Sequence, residues 1–148
     1  MKVVLREQIR GYRHLFKLDP DKDLTDEQIQ ALCQSGTDGL VVGGTLGITY
    51  DNVRQLLECL QAGCPDADRP ALIQEVSTVE AIVPGFDWYL VPLILNTHDS
   101  EWVLAAHQRA IKELGDLIAW ERILVEGYIV LNRDSAVAEL TASETDLT

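Results

Sequence analysis

Lys17, Asp19 and Asp21 stand in the run Phe16-Lys17-Leu18-Asp19-Pro20-Asp21, where a short apolar segment ends by presenting one ammonium and two carboxylates within five residues. An ammonium is a point charge suited to phosphate, and hard carboxylate oxygens suit a divalent cation. A second apolar run, Leu40-Val41-Val42, ends in Gly43-Gly44-Thr45. Glycines there let backbone approach a ligand closely, and the threonine hydroxyl can reach a metal. Read as strands, the two runs carry chemistry at the same end.

The elements that must position these groups alternate. Residues 13–18 form the first expected strand, and Thr25 with Gln28 gives a capping-box pattern that starts a helix with Ile29, Leu32 and Cys33 on its apolar face and Gly36 at its stop. Residues 40–42 are the second strand. A helix follows from about Asp51, with Val53, Leu56, Leu57 and Leu60 at helical spacing and Gly63 as its stop. The third strand spans 71–76 after the polar turn 65–70, and a short element covers 78–83. The fourth spans 88–95, continuously apolar and so covered on both faces. Asp99-Ser100 caps a long helix to about Leu114, a short helix lies near 120–125, and the fifth strand is read at 128–131. Residues 136–148 offer no further strand-helix unit. Strands alternating with helices imply right-handed crossovers and one parallel sheet, open and doubly wound or part of a barrel.

A chain of 148 residues that is 47% hydrophobic can bury the core of a single domain. Twelve Lys and Arg against 24 Asp and Glu give a net charge of -12, with no basic patch, which argues against nucleic-acid binding. Met1 to Glu7 lacks the apolar core of a signal peptide, and no run is long enough to span a bilayer, so a cytoplasmic location is expected. Cys33, Cys59 and Cys64 show no CxxC and are expected as buried or incidental thiols. His14, His98 and His107 have no metal-binding spacing and read as helix-face or core residues.

The blocks HLFKLDPDK, SGTDGLVVGGT, EVSTVEAIVPGFD, VPLILN and EGYIVLN, in that order and spacing, resemble the geranylgeranylglyceryl and heptaprenylglyceryl phosphate synthases over nearly the whole chain. The resemblance implies a parallel (β/α) barrel of TIM type and transfer of a prenyl group from a polyprenyl diphosphate to the C3 hydroxyl of sn-glycerol 1-phosphate, using Mg2+. By position it implies Lys17 as the glycerol-phosphate-binding lysine, with Asp19 and Thr45 as magnesium ligands. Glu75 matches a family carboxylate, although it equally suits a hydrogen-bonding role at the barrel mouth, and Ser77 is similarly ambiguous. The apolar strand 88–95, Leu93 included, is a candidate wall for the prenyl chain. Trp102, Ala106 and Ala110 recur every four residues on one helix face, and Ala110 falls where the family places either a bulky stop or a small residue. A small side chain leaves a longer groove, favouring heptaprenyl over geranylgeranyl. Homo-oligomerisation is expected from the family alone.

Two departures stand out. Leu46 replaces the polar or acidic residue that usually follows Gly-Gly-Thr. A complete eightfold barrel needs about 200 residues or more, so residues 1–148 are expected as one partial barrel domain of about five units. The glutamate expected to deprotonate glycerol and most phosphate-holding amides belong to later units of the family, so no catalytic base is assigned here. The expectation is an impaired synthase, marginally folded or oligomeric in isolation; the alternative is a non-catalytic partial barrel that binds magnesium and diphosphate or a partner chain.

Overall fold

The computed structural model describes residues 7–65, 69–116 and 119–146. The readings of Met1 to Arg6, of Asp66 to Asp68 in the polar turn and of Leu147-Thr148 lie outside them. Five parallel strands form one sheet: β1 (Leu15–Leu18), β2 (Gly39–Val42), β3 (Ala71–Glu75), β4 (Trp88–Ile94) and β5 (Ile123–Tyr128). Their spatial order is their order in the chain, β1-β2-β3-β4-β5. A doubly wound sheet reverses order at a switch point; this one never does, which is the progression of a barrel wall.

Helices α1 (Asp26–Gln34) and α2 (Tyr50–Gly63) return the chain from β1 to β2 and from β2 to β3. Thr25 and Gln28 form the expected capping box, and Thr49 with Asn52 forms a second. Gly36 takes φ +75°, the left-handed conformation open to glycine at a helix end. Ile29 of α1 and Val53, Leu56, Leu57 and Leu60 of α2 pack on Leu18, Leu40, Val42 and Leu72, making the outer layer. The opposite face holds a second cluster, Val41, Ile73, Trp88 and Leu90, with Leu124 and Tyr12 against it. Strands β2 and β3 are therefore buried on both sides, whereas Leu15, Phe16 and Lys17 of β1, an edge strand, are exposed and only Leu18 is buried.

Several boundaries differ from the sequence reading. The fifth strand begins at Ile123, five residues before the expected start; only Trp120–Arg122 of the expected helix is helical, as a 3-10 turn. Leu124, Glu126 and Tyr128 alternate with Val125 and Gly127, and the polar Glu126-Gly127 pair masks that two-residue period. The long helix begins as a π-helical turn, Glu101–Ala105, before α3 (Ala106–Leu114), and Asp99 rather than Ser100 accepts the Glu101 amide at 2.9 Å. A short helix, α4 (Ala136–Thr141), capped by Ser135, follows β5 where none was expected. Cys33 and Cys64 are disulfide-bonded, contrary to the expectation of free thiols: the end of α1 lies against the C-cap of α2 with a Cα–Cα distance of 5.5 Å. Cys59 alone is free and exposed. Among the described residues no helix is long and apolar enough to cross a membrane.

Candidate functional site

Strand pairing fixes where each chemical group emerges. Lys17 is level with Val41 and Leu18 with Val42, and the Gly43 amide donates to the Leu18 carbonyl at 3.0 Å, so the ends of β1 and β2 stand side by side. The loop after β1 folds against the loop after β2. A Cβ on Gly44 would lie 2.9 Å from Asp19 Oδ1, and one on Gly47 would lie 3.0 Å from the Asp21 carboxyl carbon, so glycine at both positions leaves room for these carboxylates. Asp19 Oδ1 also accepts the Asp21 amide at 3.0 Å. Thr45, next to Gly44, is exposed, as is the neighbouring Leu46. Ser77, which follows β3, donates its hydroxyl to the Gly44 carbonyl at 2.7 Å and ties the third loop to the second.

Lys17 turns to a different neighbour. Its ammonium lies 2.7 Å from Glu75 Oε1, with the lysine side chain 50% exposed and the glutamate 10%. Tyr128 donates to Glu75 Oε2 at 2.6 Å. Glu75 thus fills the hydrogen-bonding role at the mouth, which was one of its two readings. Gly43 makes room for it, since a Cβ there would meet Glu75 Cβ at 2.7 Å. Glu126, on the same face of β5 as Tyr128, has Oε2 buried with no hydrogen-bond partner among the described residues. Burial first, then the charge of Glu75, pushes the Glu126 carboxyl above its ordinary value. Burial and the bond to Glu75 likewise raise the Tyr128 phenol.

The pairing register explains why these groups meet. Lys17 is level with Ile73 through Val41, and Glu75 is two residues further; Glu75 is level with Leu124 through Leu90, and Glu126 is two residues further. Lys17, Glu75 and Glu126 thus advance by two residues for every two strands. One residue per strand is the stagger of a closed eight-stranded barrel, in which alternate strands contribute one layer of inward side chains. Glu126 and Tyr128 were not singled out in the sequence, and the signal for both was the two-residue period that the late strand assignment missed.

A shallow cleft opens beside this mouth, lined by Val76, Ser77, Thr78, Val79, Val91, Pro92, Trp102, Ala106, His107 and Ala110. The three residues predicted to share a helix face all line it. Its β4 wall is Val91 and Pro92, and Leu93 is not part of the lining. His107 Nε2 is 3.1 Å from the Pro92 carbonyl oxygen.

The sequence profile that matches is that of the PcrB family, over residues 7–148. The chain belongs to the PcrB family. It is 46% identical over 140 residues to the heptaprenylglyceryl phosphate synthase of Bacillus cereus, covering 95% of this chain and 59% of the relative. The Brevibacillus brevis enzyme of the same name is 47% identical over 132 residues, or 89% of this chain and 55% of that one. The fold is similar to wild-type GGGPS from Thermoplasma volcanium, with TM-score 0.76, 19% identity and coverage of 95% of this chain and 57% of that chain. It is also similar to (S)-3-O-geranylgeranylglyceryl phosphate synthase from Thermoplasma acidophilum in complex with sn-glycerol-1-phosphate, with TM-score 0.71, 20% identity and coverage of 95% and 56%. This PcrB chain therefore spans between half and two thirds of the proteins it matches. Strand order, stagger and these likenesses agree on part of a TIM-type (β/α) barrel.

Proposed function

We propose that this chain carries the metal and diphosphate side of a prenyltransferase that joins a polyprenyl group to the C3 hydroxyl of sn-glycerol 1-phosphate in ether-lipid synthesis. The observation that carries the reading is the meeting of two strand ends, with Asp19 packed on Gly44 beside Thr45, next to a cleft that is largely apolar. Lys17 is the phosphate anchor, and Asp19 and Thr45 are the magnesium ligands. The donor set fits that ion: Mg2+ takes one or two carboxylates together with substrate phosphates and waters rather than an all-protein cage, and among the described residues no three of His, Cys, Asp and Glu form such a cage. The ion supplies neutralisation of the charge that develops on a departing diphosphate.

The residues present account for orientation and water exclusion. In the reaction the bond between the prenyl C1 and the diphosphate oxygen breaks, a bond from the glycerol C3 oxygen to that carbon forms, and the hydroxyl proton leaves to a base not assigned among residues 1–148. Trp102, Ala106 and Ala110 face Val91 and Pro92 across the cleft, where an apolar chain displaces water from next to the ionising carbon. Ala110 leaves the groove open, which favours heptaprenyl over geranylgeranyl. A cytoplasmic homo-oligomer goes with this reading, the latter by family likeness alone.

Transfer of radiolabelled prenyl diphosphate to sn-glycerol 1-phosphate by the purified protein, lost on chelation and restored by magnesium, is the expected result. A second reading is binding without transfer. Magnesium-dependent binding of inorganic pyrophosphate with no labelled product would select it.

A further inference from the structure

The polar layer at the barrel mouth holds one cation and two carboxylates. Lys17 of β1 occupies one oxygen of Glu75 and the hydroxyl of Tyr128 occupies the other, at 2.7 and 2.6 Å. Glu126 reaches this layer by the strand stagger and finds neither partner, so its Oε2 is enclosed with no donor among the described residues. An ionised carboxylate so placed would be unsatisfied and beside a second negative charge, both of which favour the neutral acid. Protonated, the same carboxyl carries no charge and brings a hydrogen that it can donate.

We propose that Glu126 is a positioning residue that holds a proton at the barrel mouth, keeping the Lys17, Glu75 and Glu126 layer neutral so that Lys17 can receive a phosphate. The inference rests on Lys17 being the phosphate anchor. With the proton in place the layer sums to zero, one positive and one negative charge. Without it the layer carries a net negative charge, which repels an incoming anion. The charged and titratable groups acting on Glu126 are Glu75 from β3 and Lys17 from β1, with Tyr128 on its own strand. Burial and Glu75 both press Glu126 toward its protonated form, whereas Lys17 presses the other way and is half in water. Glu126 acts through Lys17 and touches no reacting atom in this account.

Inorganic sulfate is a suitable probe, because its charge is constant over the pH range in which carboxylic acids lose their protons. Calorimetric titration of the whole chain with sulfate compares the wild type, Glu126→Gln and Lys17→Met, each checked for folding by circular dichroism. The wild-type affinity is expected to fall on the order of tenfold as Glu126 ionises with rising pH, the Coulomb effect of one unit charge roughly a nanometre away near a protein surface. Glu126→Gln should keep the low-pH affinity throughout, and Lys17→Met should bind weakly at every pH. An identical pH profile in Glu126→Gln overturns the proposal while leaving the anchor intact. Sulfate binding indifferent to Lys17→Met overturns the anchor reading, and the inference with it. Carbon NMR of carboxyl-labelled glutamates is a separate check: one resonance should titrate above the others and vanish in Glu126→Gln, and a Glu126 signal titrating with the rest removes the stored proton.

Discussion

Replacing Glu75 with Gln keeps the shape of the side chain and removes its charge, so it isolates what the carboxylate does at the barrel mouth. Glu75 is buried and accepts from Lys17 and Tyr128. Because Lys17 is half exposed, the ion pair is screened and contributes about 0.5–1 kcal/mol. A hydrogen bond to a charged acceptor contributes about 1.5–3 kcal/mol and one to a neutral acceptor about 0.5–1.5, so the Tyr128 bond weakens by about 1 kcal/mol. Relief of the repulsion felt by Glu126 offsets part of this. The net loss is about 1–2 kcal/mol, and in a chain of this size each kcal/mol moves Tm by about 2–4 °C. Thermal unfolding of Glu75→Gln at neutral pH, followed by circular dichroism, should show Tm lowered by roughly 2–8 °C. A Tm equal to or above that of the wild type would refute the view that this carboxylate joins three strands at the mouth.

Other outcomes follow from the same geometry. Opening the Cys33–Cys64 bond, by reduction or by Cys33→Ser, frees a loop with a sequence separation of 31; chain entropy puts the loss at about 3–4 kcal/mol, read as a lower denaturant midpoint, and an unchanged midpoint contradicts it. Ala110→Trp fills the cleft beside Trp102 and Ala106 and should shorten the prenyl chain that binds, as measured by competition among diphosphates of different lengths. The raised Glu126 carboxyl means the folded chain retains a proton that the unfolded chain has released, so stability falls as pH rises from the ordinary carboxyl value of 4.5 through the raised folded value. Glu126→Gln should flatten that decline in a series of denaturant melts; the same slope in both proteins would argue against it.

Much of this arrangement was legible in the residues, for reasons that also explain what was not. The apolar runs around Leu40 and Trp88 and the turn glycines mark strands whose identity depends on local pattern, and the Thr25 box marks a helix start in four residues. The choice between an open sheet and a barrel is not local, because it depends on which strands are neighbours, and the pairing order decides it. Lys17, Asp19 and Gly44 were visible because each sits at the end of an apolar run. Glu126 and Tyr128 were hidden because their importance depends on a stagger accumulated over five strands. The Cys33–Cys64 link was hidden for a similar reason: two helix ends 31 residues apart meet only once both helices pack on the same side of the sheet. The π-helical turn at Glu101–Ala105 left no mark in a pattern of apolar residues that also suits an α-helix.

The most direct measurement is a crystal soaked with manganese in place of magnesium and with inorganic pyrophosphate, located by anomalous scattering. The account predicts one manganese peak between Asp19 and Thr45, with pyrophosphate bridging it towards Lys17. A peak remote from the ends of β1 and β2, or pyrophosphate bound without contact to any of these three residues, would contradict it.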